Sequence, residues 1–357
     1  MTGLLELAAE LVALASPSRQ EAAIADEIER RCRSAPHLNV TRIGDNVVAR
    51  TSLGRPIRVV VAGHLDTVDT SSPVPRIDGD LLWGLGTVDM KGTVAIMLSL
   101  ALELDAPAVD ISWIFYAREE ISRDESGLLE LAAADASLLD GDVAILGEPT
   151  DGAVEAGCQG TLRMRVTLGG VAAHAARPFA GVNAAHRLGA LIAMISAAEP
   201  RLVEIDGVRY AEQLEVVGAT SGSGGNVLPD QAELVINHRF APDRSATQAI
   251  AWVSELLGPF LDLSLGDKVE TIDVADGALP QLEHPTLARL VELSDRPVVA
   301  KVGWTDVATF AARGLPAANF GSGDPLLAHH PDERVSRSSL EHVAEVYRRL
   351  LTESAAG

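Results

Sequence analysis

The sequence predicts an α/β protein, with a mixed, largely parallel sheet flanked by helices and with an inserted α+β domain. Three observations lead to this expectation. A chain of 357 residues suits two domains, or one domain that carries an insertion. Continuous apolar runs with a helical run between them are typical of buried, largely parallel strands. After Glu148-Pro149-Thr150, alternation of apolar and polar residues takes over and indicates a half-exposed antiparallel sheet.

The first region begins with two predicted helices. Apolar residues recur at helical spacing over residues 2–16, Ser16-Pro17-Ser18 breaks the pattern, and a second helical stretch runs from Gln20 to about Cys32. A helical run, GTVAIMLSLALEL, lies between the second and third of four strand-like runs. These runs are NVVART, RVVVAGHLD, ISWIFYA and DVAILGE. We therefore expect a sheet with helices on both faces.

The second region combines alternating strands with two helices. Its strands are predicted in TLRMRVTLGG, QLEVVGAT and QAELVINHRFAPD, and its helices in NAAHRLGALIAMISAAEP and ATQAIAWVSELLGPF. From about Thr271 the chain returns to buried-strand and helix patterns, namely AKVGWTD, PAANFGSG and SLEHVAEVYRRLLTES. The predicted domains are residues 1–158 together with 272–357, and an inserted domain of residues 159–271.

Composition excludes several classes of partner. Acidic residues outnumber basic ones by 50 to 29, so the formal charge of -21 repels nucleic acid and anionic lipid. An anionic substrate would need clustered cations, for which the candidates are Arg163, Arg177, Arg239 and Lys301. Two cysteines are too few for a disulfide framework. No signal peptide pattern and no apolar run of about 20 residues is found, so we expect a soluble cytoplasmic protein without a membrane partner.

Candidate metal ligands follow the predicted strands. His64 and Asp66 are two residues apart at the end of RVVVAGHLD, so strand alternation puts both on one face, where a metal-bound histidine can be oriented by a carboxylate. Such a pair can also be a strand end whose polar groups bond to loop backbone. Asp89 lies in the glycine-containing loop WGLGTVDMKG before a helix. The glycines of this loop match neither the GxGxxG pattern nor the GxxxxGK(S/T) pattern of phosphate-binding loops, which counts against a nucleotide-binding module.

Three further motifs complete the candidate set. Glu119 and Glu120 follow ISWIFYA after one intervening residue, Arg118, and on a continuing strand one would bind a metal while the other faces the reacting water. Glu148 ends the run DVAILGE, and the loop AHHPDE carries His329 and His330. Imidazole and carboxylate ligands together suit zinc, cobalt or manganese. Each motif alone also fits a solvated strand end or loop, and their joint occurrence favours a metal site.

The ordered motifs GHLDTV, GTVDMKG, REE, GEPT and HHPDE resemble those of the M20 family of co-catalytic metallopeptidases over essentially the whole chain. Within that family, GCQGTLR, AAHAARP, GNVLPD, NHRFAPDRS, GWTDVATF and NFGSGDPLLAHHPDE are most similar to actinobacterial succinyl-diaminopimelate desuccinylases. The resemblance implies a zinc-exopeptidase-like catalytic domain and an inserted lid and dimerisation domain. It also implies cleavage of N-succinyl-LL-2,6-diaminopimelate to succinate and LL-2,6-diaminopimelate, in lysine and diaminopimelate biosynthesis.

The resemblance also implies roles for particular residues. Asp89 would bridge two divalent ions, zinc first and cobalt as the alternative, and a cis peptide would follow it. His64 and Glu148 would complete one ion, and Glu120 and His329 the other. The family pattern places a histidine four residues before a glutamate, and this resemblance selects His329, four residues before Glu333, over His330.

In the same comparison Glu119 would be the general base and Asp66 would support His64. His174 would donate to the oxyanion from the partner subunit of a homodimer. Four residues would contact the anionic substrate, namely Asn226, Arg239, Thr305 and Asp306.

Alternatives remain open from the sequence. A relative with a different pocket, such as an acetylornithine deacetylase or a dipeptidase, would carry the same metal ligands. A metal-binding scaffold without turnover is the second alternative, because Arg118 next to Glu119 departs from the family pattern. An arginine close to Glu119 would lower the pKa of that carboxyl group and weaken it as a base.

Overall fold

A computed structural model describes residues 3–69, 74–222 and 224–353. Its α-helices are α1 Leu4–Val12, α2 Ala22–Arg33, α3 Lys91–Glu103, α4 Gly127–Ala134, α5 Ala184–Ser196, α6 Ala246–Leu257, α7 Pro285–Ser294, α8 Val307–Ala311 and α9 Arg337–Thr352. Its first strands are β1 Asn39–Ile43, β2 Asn46–Arg50, β3 Arg58–His64, β4 Arg76–Asp78, β5 Leu81–Trp83, β6 Asp110–Tyr116, β7 Val143–Leu146 and β8 Glu155–Ala156. The later strands are β9 Gly160–Gly169, β10 Leu202–Ile205, β11 Val208–Ala211, β12 Gln213–Ser221, β13 Gln231–Phe240, β14 Lys268–Ala275, β15 Val299–Ala300, β16 Ala317–Asn319 and β17 Arg334–Ser336.

The described chain divides into two compact units. The first consists of Met1–Ala156, Pro280–Val299 and Thr309–Gly357, and the second of Gly157–Leu279 and Ala300–Ala308. The predicted boundaries at 158/159 and 271/272 remain a prediction about domains. The short segment Ala300–Ala308 belongs to the second unit although it lies far along the chain, in the tail that the sequence assigned to the first region.

The first unit is built on a mixed sheet, which confirms the predicted fold class. Among the described residues the strand order is β1-β2-β6-β3-β7-β16-β8-β15. Strand β3 is parallel to both β6 and β7, and β16 is parallel to β7. The flanking pairs β1/β2, β2/β6 and β16/β8 are antiparallel. Every residue of β6 and all but Arg58 of β3 are buried, as expected for strands covered on both faces.

Helices cover this sheet through apolar faces. The core includes side chains of α1, α2, α3, α7 and α9, and α3 is buried on nearly all sides because its sequence is apolar all round. Helix α9 buries Leu340, Val343, Tyr347 and Leu350, which recur every three or four residues along one face. The hydroxyl of Tyr347 donates to the carbonyl of Phe320 at 2.6 Å. Each buried leucine of such a face is worth about 2–5 kcal/mol against alanine.

The second unit contains the predicted half-exposed sheet. Strands β12, β13, β9 and β14 pair antiparallel in that order. Burial alternates along β13, and its buried residues pack with those of α5 and α6. A hairpin of β10 and β11 was not predicted, although Asp206 and Gly207, both at positive φ, supply the Asp-Gly turn that signals one.

The tail was predicted less well than the centre. Only Val299–Ala300 of the expected strand region around AKVGWTD is extended, and α8 begins at Val307. The run PAANFGSG does supply a buried strand, β16. Among the described helices, none combines the length and the apolar character needed to cross a membrane.

Candidate active site

Three parallel strands bring candidate ligands to one edge of the sheet. Strand β3 ends at His64, which lies in register with Tyr116, the last residue of β6. On the other side of β3, Ala62 is in register with Leu146, the last residue of β7. Because parallel strands end on the same side, His64, the Glu119-Glu120 pair and Glu148 all emerge there. This convergence follows from the topology and not from proximity in the sequence.

Asp89 reaches the same edge from the turn before α3. The carboxylate of Glu333 accepts hydrogen bonds from the backbone N–H groups of Val88 at 2.8 Å and Asp89 at 3.1 Å. Glu333 is itself placed by the pairing of β17 with β5, and its carbonyl accepts from Gly84 N at 3.1 Å. The peptide bond between Asp89 and Met90 is cis, as the family resemblance implied.

The Asp89 carboxylate lies between two histidines. Its Oδ1 is 3.0 Å from His64 Nε2, and its Oδ2 is 3.3 Å from His329 Nε2. His329 Nε2 is also 2.9 Å from Glu120 Oε1. His330 does not share this position, since its Nδ1 accepts from the backbone N–H of Asp332 at 3.1 Å.

These side chains form two groups that share Asp89. We call His64, Asp89 and Glu148 the inner group, and Asp89, Glu120 and His329 the outer group. In each group one ligand atom per residue lies within 4.8 Å of the others, a spread that one divalent ion can span. Imidazole nitrogens and carboxylate oxygens are the donors that borderline divalent ions prefer. The donor set therefore fits a pair of such ions joined by Asp89.

Glu119 adjoins both groups. One of its carboxylate oxygens lies within 4.8 Å of ligand atoms of His64 and Glu120. Arg118 points elsewhere, because its guanidinium binds Glu130 Oε2 at 2.5 Å and the carbonyl of Glu125 at 2.8 Å. The guanidinium thus has other partners, which answers the question that the Arg118-Glu119 pair raised in the sequence.

Asp66 does more than the sequence suggested. His64 Nδ1 lies 3.0 Å from the backbone carbonyl of Asp66 and 3.5 Å from its Oδ1. The two carboxylate oxygens also accept hydrogen bonds from the backbone N–H groups of Glu119 and Glu120, both at 3.0 Å. Burial opposes the charged form, but the bonds from His64 and Ser18 lower the pKa of Asp66 to about 2. Asp66 therefore fixes the chain that carries Glu119 as well as His64.

Charge in the site is strongly coupled. Burial alone would lower the pKa of His64, but hydrogen bonds with Asp66 and Asp89 raise it well above its ordinary value. Bonds with Asp89 and Glu120 raise the pKa of His329 to about 10. Although burial opposes it, the two histidines hold the pKa of Asp89 well below its usual range. A divalent ion would therefore compete with protons for both histidines.

Supporting residues were the main omission of the sequence analysis. Ser18, Glu21 and Lys91 are buried or half-buried near the site, and Glu333 was used only to choose between two histidines. Burial raises the pKa of Glu333 to about 7, despite its bonds to Val88 and Asp89. The lysine ammonium donates to the carbonyl of Leu14 at 2.7 Å. Glu333 was signalled only as the last residue of the HHPDE motif, and nothing in the local sequence signalled the others.

The predicted oxyanion donor, His174, and the four predicted substrate-binding residues all lie in the second unit. His174 and Asn226 are exposed on adjacent segments, joined by Ala175 N donating to the carbonyl of Asn226 at 2.8 Å. Arg239 is half-buried on β13, where burial lowers its pKa and the charge of Arg163 adds to that effect. Thr305 and Asp306 are buried immediately before α8. Their contacts with a substrate remain predictions.

Comparisons with known proteins identify the family that this chain matches. Residues 60–353 match the peptidase family M20/M25/M40. A putative succinyl-diaminopimelate desuccinylase of Mycobacterium tuberculosis is 45% identical over 349 residues, covering 97% of each chain. A succinyl-diaminopimelate desuccinylase of Corynebacterium glutamicum is 42% identical and covers 97% of this chain and 95% of the relative.

Solved structures share the fold at low sequence identity. A tripeptidase from Staphylococcus aureus superposes with a TM-score of 0.79 at 20% identity, covering 98% of this chain and 96% of that one. A metallo-carboxypeptidase of the M20 family from Sulfolobus solfataricus gives a TM-score of 0.76 at 14% identity, covering 98% of both chains. These likenesses concern the fold alone.

Proposed function

Because this chain belongs to the peptidase family M20/M25/M40, we propose that it is a metal-dependent hydrolase that cleaves N-succinyl-LL-2,6-diaminopimelate to succinate and LL-2,6-diaminopimelate. The observation that carries the proposal is the pair of ligand groups sharing Asp89, with Glu119 beside them. The substrate is taken from the two actinobacterial relatives, whose names specify this reaction and which match nearly the whole chain. The reaction would belong to lysine and diaminopimelate biosynthesis in the cytoplasm.

The metal centre would hold two divalent ions per subunit. His64 and Glu148 would complete the ion of the inner group, and Glu120 and His329 that of the outer group, with Asp89 between them. Zinc suits these nitrogen and oxygen donors best, and cobalt is the alternative. Ions in such a centre supply Lewis acidity that activates water and polarises the amide carbonyl.

The chain's own residues would carry the proton. Glu119 would take a proton from the attacking water and then give it to the leaving amine, the usual work of a carboxylate acting as general base and then acid. Asp66 would support this by holding His64 and the backbone of Glu119 and Glu120. His174 would donate a hydrogen bond to the oxyanion, from the partner subunit of a homodimer formed through the inserted domain.

Substrate recognition would depend on the second unit. The guanidinium of Arg239 offers the planar fork that binds a carboxylate with two hydrogen bonds. Asn226, Thr305 and Asp306 would contact the same anionic substrate. Lysine would be a poorer replacement for Arg239, because its ammonium acts as a point charge and not as a fork.

The test is a titration of metal-free protein with zinc while succinate release is measured. Hydrolysis is expected to require about two ions per subunit, as a two-ion centre predicts. N-acetylornithine is the control substrate, and preference for it would replace the proposed substrate while keeping the reaction class. If two ions bind and neither substrate is cleaved, the protein is a metal-binding scaffold and the proposal is wrong.

A further inference from the structure

Residues 16–21, the later part of the connection between α1 and α2, form a segment that lies against the exits of the two central strands. Its sequence predicted only a break between helices. In the structure, Ser16 Oγ donates to the carbonyl of Leu65 at 2.7 Å, and the backbone of Pro17 pairs with that of Thr67. Ser18 Oγ donates to Asp66 Oδ2 at 2.7 Å. The first half of the segment, residues 16–18, therefore contacts the turn that follows His64.

The same segment also holds the turn that carries Glu119. Glu21 Oε1 accepts a hydrogen bond from the backbone N–H of Arg118 at 3.0 Å. The next two N–H groups, of Glu119 and Glu120, are bound by the carboxylate of Asp66. The backbone N–H groups of three consecutive residues thus donate hydrogen bonds to two carboxylates. These bonds fix the orientation of three successive peptide planes. Arg118 has a φ of 62°, a left-handed conformation that an arginine keeps only where its surroundings hold it.

Packing alone does not explain why a glutamate is buried at position 21. Its exposed fraction is 0%, and its Oε1 also accepts from the backbone N–H of Arg19 at 3.0 Å. Within the described residues its other oxygen, Oε2, has no hydrogen-bond partner. Burying a carboxylate with so few partners costs free energy, which an apolar side chain would avoid. An apolar side chain could provide neither the bond to Arg19, within the same segment, nor the bond to Arg118, which reaches the turn that carries Glu119.

We infer that Glu21 is a positioning residue for the general base: by holding the Arg118 N–H it fixes the turn that directs the carboxylate of Glu119. The inference rests on the proposed function, because Glu119 is a base only if the protein hydrolyses an amide. Loss of the bond would let the turn relax and would move the Glu119 carboxylate away from the water that it deprotonates. A displacement of about 1 Å at a catalytic group can cost a factor of about 100 in rate.

Asp110 provides a matched control at the opposite end of β6. It too is a buried carboxylate that accepts backbone hydrogen bonds, from Leu53 at 2.8 Å and Arg55 at 2.9 Å. It lies at the amino end of the strand, whereas Glu21 acts just beyond the carboxyl end. A general loss of stability would affect the Asp110 and Glu21 variants alike, and a loss of positioning would affect only the latter.

The experiment compares Glu21→Ala, Glu21→Asp, Glu21→Gln and Asp110→Ala in the full-length, zinc-loaded protein with the succinylated substrate. Glu21→Ala removes the acceptor of the Arg118 N–H, and Glu21→Asp moves the carboxylate away from that N–H because its side chain is shorter. We therefore expect kcat to fall about 10- to 100-fold in both variants. Metal content should be unchanged, and KM should stay within about threefold, because ground-state binding is untouched. Glu21→Gln retains the acceptor oxygen and should keep kcat within about fivefold of the wild type. Asp110→Ala should lower the melting temperature and leave kcat within about threefold.

Two results would overturn the inference. One is a kcat for Glu21→Asp no lower than that for Asp110→Ala, which decides the matter even where Glu21→Ala does not fold. The other is loss of bound zinc in proportion to lost activity, because Glu21 would then act on the ligands and not on the base. If the wild type releases succinate, either result removes this inference alone. A wild type that cleaves nothing removes the proposed function as well.

Discussion

The inner and outer ligand groups use the same kinds of side chain but are built differently. His64 of the inner group ends a buried strand that is paired on both sides, and its side chain is 1% exposed. His329 of the outer group lies on a loop at a φ of 60°, and its side chain is 47% exposed. Ligands that are already held in place lose less entropy on binding. Two similar ligand sets therefore need not bind ions equally, and the inner group is expected to bind its ion more tightly.

The largest effect is expected when the proposed general base, which adjoins both groups, is replaced. Glu119 adjoins His64 and Glu120, and Glu119→Gln removes the proposed base while keeping its size. We expect kcat to fall about 100- to 10,000-fold, the range of general-base catalysis, with two ions still bound. Succinate release and metal analysis measure both quantities. Unchanged hydrolysis would show that the reaction does not use Glu119.

The next prediction separates the two groups directly. His329→Ala should lower the affinity of the protein for one ion and leave the other ion bound. The loss of affinity should exceed the roughly 10- to 100-fold loss that is typical when a residue supporting a ligand is replaced. His64→Ala should remove the tighter ion. Calorimetric titration with zinc distinguishes the two binding steps. The expectation that the inner group binds more tightly is wrong if His329→Ala removes the tighter ion and His64→Ala the weaker one.

Acidification should weaken ion binding in both groups. Neighbouring carboxylates raise the pKa of His329 to about 10 and that of His64 well above its ordinary value, so protons are expected to compete with an ion for both side chains. Each must release its proton to become a ligand, so affinity should fall by up to about tenfold per pH unit for each proton released. Calorimetry in two buffers of different ionisation enthalpy counts the protons. Binding without proton release would contradict the prediction.

The smallest expected effect concerns Arg118. Its guanidinium binds Glu130, whose side chain is 39% exposed, so Arg118→Ala should lower the free energy of unfolding by about 1 kcal/mol. The backbone N–H that Glu21 holds remains in place, so kcat should stay within about threefold. Denaturant unfolding and the pH profile of kcat/KM give the two readouts. A shift of the acid limb of that profile to higher pH would indicate that the arginine had acted on Glu119 after all.

Much of the fold was predictable because local patterns agreed with it. Buried runs such as ISWIFYA are apolar throughout and became central strands, whereas the alternation in QAELVINHRF became β13 of the half-exposed sheet. The Asp206-Gly207 hairpin was missed although its turn signal was present. The region around AKVGWTD was read as a strand, but little of it is extended, because a short apolar run does not by itself distinguish strand from loop.

The sequence by itself determined which side chains are available and in what order they follow the strands. Motifs one after another along the chain were enough to predict the candidate ligands, since His64, Glu120 and Glu148 lie at or after the ends of apolar runs and all five motifs carry donors that metals prefer. Only the tertiary structure decided that these donors meet in groups of three within 4.8 Å of one another, because parallel pairing of β3, β6 and β7 joins positions far apart in the chain. It also decided the partners of Glu21, Glu333 and Arg118, since a hydrogen bond between distant residues leaves no periodic signal in the sequence.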